Sequence, residues 1–231
     1  TTGNYNVAVG ASSLSTTLVA SNNTAIGYGS LSVNVHGHKN TAVGMNTLGA
    51  MAPAGSSDSH NTAIGYSSQV SATTGEFNTS LGSLSMGVGV ATGDYNIAVG
   101  YQAGIALTSG ERNVLIGANA GDAITTAEYC VAVGHGALSA EDTYGRTTAV
   151  GYKALNVQNT GSVSYNVAVG YEAGLLVSTG IENTLIGGRA GDALTTGASN
   201  VAVGFGALST EDTGGRNTAM GYRALNSLNN D

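Results

Sequence analysis

Two adjacent carboxylate pairs, Glu141-Asp142 and Glu211-Asp212, are the residues of this chain best suited to acid–base chemistry. Paired carboxyls can cleave a glycosidic bond or contribute oxygens to a Ca²⁺ site. Neighbours on an exposed turn are more simply solvated, which is the expectation here, and Asp122 and Asp192 read the same way. No Gly-Gly-x-Gly-x-Asp calcium repeat occurs in the sequence. His36-Gly-His38 brings two imidazoles together as a metal-ligand pair in principle, but it occurs once, in a return segment before Asn40. A polar loop is the expectation, and His60 and His135 read as isolated surface or corner residues. Tyr28, Tyr66, Tyr101, Tyr152, Tyr171 and Tyr222 form the best candidate ligand contacts, because a ring with a polar tip suits sugars and wet interfaces. Stacked Tyr rings would equally stabilise a flank of the fold. No catalytic residue, metal site or cofactor is expected, and the reading is not an enzyme.

What must position these groups is a short phrase, Asn-(Thr/Val)-Ala-(Val/Ile)-Gly, repeated thirteen times. Its glycines are Gly10, Gly27, Gly44, Gly65, Gly82, Gly100, Gly117, Gly134, Gly151, Gly170, Gly187, Gly204 and Gly221, mostly 17 residues apart. A fixed short period means stacked repeats, each burying its apolar groups against its neighbours. With the motif Asn as position 0, Asn6, Asn23, Asn40, Asn61, Asn78, Asn96, Asn113, Asn166, Asn183, Asn200 and Asn217 fill that slot, and Cys130 and Thr147 replace it twice. Cys130, the only cysteine, is expected to be a small buried residue of this column.

Alternation at positions 1 to 4 is a strand signal. Branched residues at 1 and 3 share one face, and Ala and Gly at 2 and 4 share the other. Each repeat is expected to be one coil, with a short strand, a corner, a second short strand at positions 6 to 9 and a Gly-containing return. Seventeen residues leave no room for a helix in each coil. In-register stacking would place Asn on Asn as amide ladders, with the invariant Gly supplying positive φ or close approach at a corner. The expected fold is all-β, a parallel β-solenoid of about 13 coils over 1–231.

Three steps exceed 17 residues, by one between Gly82 and Gly100 and by more in two coils. The 21-residue coil carries Met51-Ala-Pro-Ala-Gly-Ser-Ser-Asp58, expected as an outward loop, and the 19-residue coil bulges near Val157–Val163. Residues 95–156 and 165–226 align without gaps, with 39 of 62 positions identical, so four coils were copied as a block. Thr1 and Asp231 both lie inside repeats, which suggests a fragment of a longer fibre.

Only 9% of residues are charged, the net charge is −7, and the seven basic residues are dispersed. That leaves no electrostatic footprint for nucleic acid or an anionic membrane, and no apolar run reaches the roughly 20 residues of a spanning helix. The Thr column at position 1 invites ice binding, yet Val and Ile interrupt it. A branched column in a core or interface accounts for both residue types.

The phrases Asn166-Val-Ala-Val-Gly-Tyr-Glu-Ala-Gly174 and Asn217-Thr-Ala-Met-Gly-Tyr-Arg-Ala-Leu225 resemble repeats of bacteriophage tail fibres. They are also similar to the YadA-like head repeats of trimeric autotransporter adhesins, whose repeat is typically nearer fourteen residues. The seventeen-residue period with trailing Ala-Leu looks more like the fibre version. The resemblance implies a left-handed β-roll, a side-by-side homotrimer, a virion or cell surface, and a host glycan or protein receptor as partner. Some trimeric phage needles hold iron on their axis with a His-x-His pair, which is the reading His36 and His38 would carry. A trimer also has a physical motive, since a branched stripe outside the coil would be an apolar strip of the kind that marks interfaces. The expected function is therefore a structural and adhesive fibre segment. The alternatives are an adhesin head and, in the enzyme class, a polysaccharide-depolymerising tailspike.

Overall fold

The computed structural model describes residues 3–210 and 212–226, so Glu211 lies outside the described residues. The chain forms two compact units, 1–113 and 114–231. In the first, strands β1 (Val7–Val9), β2 (Thr24–Ile26), β3 (Thr41–Val43), β4 (Thr62–Ile64), β5 (Thr79–Leu81) and β6 (Ile97–Val99) follow one another. They pair in parallel, each with the next, and like residue sits on like, as in Ala25 opposite Ala42. The second unit repeats the arrangement with β7 (Val114–Ile116), β8 (Val131–Val133), β9 (Thr148–Val150), β10 (Val167–Val169), β11 (Thr184–Ile186), β12 (Val201–Val203) and β13 (Thr218–Met220). Both units are parallel β-solenoids with one three-residue strand per coil.

Among the described residues, the expected second strand at positions 6 to 9 is absent. That segment instead alternates into the left-handed region, as at Asn46 (φ 57°) and Leu48 (φ 49°), or Lys153 (φ 51°) and Leu155 (φ 48°). A left-handed conformation costs a non-glycine residue roughly 1–2 kcal/mol. It is held because alternate amides still reach adjacent coils: Asn46 N–H donates to the Tyr28 carbonyl at 2.8 Å and Leu48 N–H to the Ser68 carbonyl at 3.1 Å. The residue before the motif Asn is left-handed too, from Tyr5 to Arg216. The chain therefore bends at several fixed places per coil and stays hydrogen-bonded to its neighbours without being extended.

The face assignment is now definite. Position 2 points inward, with Ala25, Ala42, Ala63, Ala98, Ala132, Ala149, Ala168 and Ala202 fully buried, while positions 1 and 3 point out. The branched column is therefore not core. Core volume comes from one or two larger side chains per layer, and their positions trade off. Leu138, Leu155 and Leu208 fill position 8 where the strand centre is Ala. Where position 8 is Gly121 or Gly191, the space is taken by Leu115 and Ile124, or by Leu185 and Leu194. A Cβ on Gly121 would sit 2.8 Å from both Leu115 and Ile124. Constant layer volume, rather than a constant residue, is what close packing demands.

The motif Gly meets both expected demands. Its φ is +130° at Gly27 and +147° at Gly170, and a Cβ at Gly27 would lie 2.4 Å from the Gly44 carbonyl oxygen. No L side chain satisfies either condition.

Candidate functional site

The Asn column is buried and structural, and its ladder runs through the backbone more than from amide to amide. Each Oδ1 accepts the main-chain N–H of the next motif Asn, as Asn23 does from Asn40 (2.9 Å) and Asn166 from Asn183 (2.7 Å). In most coils Nδ2 donates across the coil to a return-loop carbonyl fourteen residues on, Asn23 to Gly37, Asn166 to Gly180, Asn183 to Gly197 and Asn200 to Gly214, and Asn78 reaches Gly93 fifteen residues on. Side-chain rungs such as Asn200 Nδ2 to Asn183 Oδ1 (3.1 Å) add to this. One amide thus closes the coil and pins the next one. The 21-residue coil breaks the pattern. Its extra residues displace the carbonyl Asn40 would reach, and Asn40 Nδ2 is buried without a partner.

Cys130 replaces Asn in a fully buried slot. Burial pushes its thiol up to about 12, so the thiolate needed for nucleophilic chemistry is not available there. Thr147 and the neighbouring coil replace the lost amide with a polar cluster. Gln158 Nε2 donates to Glu141 Oε2 (2.9 Å) and Thr147 Oγ1 (3.0 Å), Asn166 Nδ2 donates to Gln158 Oε1 (2.8 Å), and Thr147 and Ser164 share a hydroxyl contact.

Glu141 is therefore not a solvated turn residue, contrary to expectation. Its side chain is fully buried, and desolvation lifts its carboxyl to about 6 even though Gln158 and the Tyr144 amide donate to it. Asp142, half-exposed, accepts from the Thr143 hydroxyl at 3.0 Å. One carboxyl points into the core and its neighbour toward solvent, so the two do not face each other across a groove. Asp122 and Asp192 are half-buried, each with one oxygen unpartnered, and burial raises Asp192.

Both ring nitrogens of His38 are engaged. Nδ1 accepts the Ser21 N–H at 2.9 Å and Nε2 pairs with Ser56 Oγ at 2.7 Å, leaving no lone pair for a metal in that tautomer. His36 and His38 instead tie down the 21-residue loop. Gly37 bridges Ser57, and Lys39 pairs with Asp58 at 2.6 Å, lowering the Asp58 carboxyl. Met51 and Pro53 at the base of that loop are buried, and Ala52, the tip at 54–56 and Asp58 are exposed.

The outward face of each unit carries four side-chain columns, at positions −1, 1, 3 and 5. Positions 1 and 3 supply Thr or Val beside Ile, Val or Leu, with Ile64 38% and Leu81 46% exposed. Position 5 holds the six Tyr residues, all exposed. Tyr152 and Tyr171 stack with each other (5.2 Å) and His135 stacks on Tyr152 (5.7 Å), so their faces are occupied and edges and hydroxyls face out. His135 is a rung of this ladder and not an isolated corner residue.

The column at position −1 escaped the reading of the sequence. His60, Phe77 and Tyr95 stack at 5.2 and 5.0 Å, and the Arg112 guanidinium lies 5.5 Å over Tyr95. Arg146 covers Tyr129 in the same way in the second unit. The signal was present, since a ring immediately precedes Asn6, Asn61, Asn78, Asn96, Cys130 and Asn166.

No protein-family model, curated protein or solved structure matches the chain.

Proposed function

We propose that this chain is a structural and adhesive segment of a trimeric surface fibre, of the kind found in bacteriophage tail fibres. Three left-handed rolls stand side by side and the fibre contacts a host glycan or protein. The observation that carries this reading is the outward face. In both units, positions 1 and 3 of every strand carry apolar or Thr side chains on the outward face and no charged residue. They are flanked by a largely aromatic or small column at position 5 and by a column at position −1 where rings alternate with Lys39, Arg112, Arg146, Glu182 and Arg216. Covering one such side chain is worth at most about 1 kcal/mol by area, but the columns repeat in every coil. A repeating strip of this kind is a natural interface between identical chains. The polar cluster around Glu141 and the core-directed carboxylate give no support to the depolymerase alternative.

Native mass spectrometry tests the assembly. Three 22.8 kDa chains in one particle are expected, and Ile64→Lys with Leu81→Lys should dissociate it. A monomer at micromolar concentration would remove the basis of the proposal. The flanking sequence separates the two trimeric readings, because a downstream membrane β-barrel would make this an adhesin head.

A further inference from the structure

We propose that a notch on the return-loop side of the second unit binds a single neutral sugar ring. It is lined by Thr126, Glu128, Thr143, Tyr144, Arg146 and Val163 and has a volume of about 220 Å³. That is below the roughly 300 Å³ at which pockets for drug-sized ligands begin, so it takes one ring and no more.

Three successive return loops build it. Gly145 forms a bare floor, where a Cβ would lie 1.8 Å from the Glu128 carbonyl oxygen. Arg146 N–H then donates to that carbonyl at 2.9 Å, which fixes the Glu128 and Arg146 backbones side by side. The Arg146 guanidinium rests on the Tyr129 ring and, among the described residues, makes no side-chain hydrogen bond. The Glu128 carboxylate is exposed and likewise unengaged. Val163 comes from the bulge of the 19-residue coil, so the extra residues of that coil supply a wall.

The chemistry matches a polyol. A carboxylate accepts from, and a guanidinium donates to, adjacent hydroxyls of a pyranose, and an aromatic ring covers its C–H face. Tyr144 is 40% exposed and, among the described residues, no other ring stacks on it. Its loop is pre-set from below, because the buried Glu141 accepts the Tyr144 amide at 3.1 Å and is itself held by Gln158. Loop ordering is thereby largely complete before a ligand arrives. Glu128 and Arg146 offset each other's charge, which favours a neutral ring over an anionic one.

A second notch provides an internal control. It is lined by Thr196, Thr213, Gly215 and Arg216, the counterparts of Thr126, Thr143, Gly145 and Arg146 in the duplicated block. There Ala198 and Gly214 stand in place of Glu128 and Tyr144, so the acceptor and the ring are both missing.

This inference rests on the attachment reading for its biological role only, since the notch is lined by one chain. Saturation-transfer NMR with maltotetraose, chitotetraose and tetragalacturonate, on protein whose assembly state has been measured, tests it. A neutral tetrasaccharide should bind. Arg146→Ala should weaken binding about tenfold or more, the size of one charge-assisted hydrogen bond, and Tyr144→Ala, which removes the ring over the C–H face, about fivefold or more. Arg216→Ala should leave binding within about twofold. Unchanged circular dichroism of each variant keeps misfolding apart from lost contacts. Binding of tetragalacturonate alone, binding insensitive to Tyr144 and Arg146, or no binding by any of the three sugars would overturn the proposal whatever the particle mass.

Discussion

Replacing Glu141 by Gln should stabilise the second unit at neutral pH and leave it nearly unchanged in mild acid. The carboxyl titrates near 6 in the folded chain against an ordinary value of 4.5, with desolvation the largest cause. A raised acid pKa means the folded state holds the proton more tightly than the unfolded chain. The stabilising contribution is complete below about pH 4.5 and is lost as pH rises through 6. At about 1.4 kcal/mol per pH unit, the difference between the two limits is about 2 kcal/mol. Gln cannot ionise, so the gap between variant and parent should grow from near zero at pH 4.5 to about 2 kcal/mol at pH 7.5. Both the protonated acid and Gln place a donor near the Gln158 amide, so this local conflict largely cancels in the comparison. Asp192, also raised by burial, is common to both proteins and cancels too. Stacked repeats open locally, and amide hydrogen exchange at Tyr144 and its neighbours across this pH range is therefore the appropriate assay. A difference that stays flat with pH would refute a buried, ionising Glu141.

Further outcomes follow from the ladders and corners. Gly27→Ala, with a left-handed φ and a Cβ 2.4 Å from the Gly44 oxygen, should lower stability by about 3 kcal/mol or more, whereas Gly161→Ala, at φ 66° with open space around it, should lose only about 1–2 kcal/mol; urea titrations compare the two. Asn183→Ala strands the Asn200 amide and the Gly197 carbonyl, and should accelerate hydrogen exchange in both adjacent coils, corresponding to about 2–4 kcal/mol. Cys130, buried with its thiol near 12, should resist a thiol reagent at pH 8 until denaturant is added, and rapid labelling of the native protein would contradict its placement.

Much of the fold is legible in the chain because the period is short and nearly constant. The thirteen strands of the described residues fall on the thirteen motif phrases, and the Gly at the end of each phrase has positive φ, with a close backbone approach to the next coil where one stacks on it, as at Gly27 and Gly170. The candidate site is less legible. Position 1 carries Thr or Val, which suit an interior, an interface and a solvated strand alike, so residue type does not assign the face. Glu141 looks like any acidic turn residue, and only the layer beneath it, with Gln158 where several other coils carry Leu, Ile or Val and Thr147 where most carry Asn, turns it inward. The second strand failed for a different reason. Apolar spacing at positions 6 to 9 is compatible with an extended segment, whereas the left-handed residues there are chosen by the need to bend and keep hydrogen bonds to two neighbouring coils.

The sequence by itself determined the architecture. A residue type repeated at a fixed interval must stack on itself, and small residues at two fixed slots permit one backbone to lie against the next. Tertiary structure alone decided which side of each strand faces solvent, which large side chain fills each layer, and where return loops from different coils meet. Those outcomes depend on volume and hydrogen-bond balance between coils, and neither quantity is carried by any single repeat. The thirteen-fold phrase specifies a scaffold, and where coils depart from it, at Cys130, Glu141 and Thr147, the interior exchanges its Asn ladder for a buried polar cluster beneath the return loops.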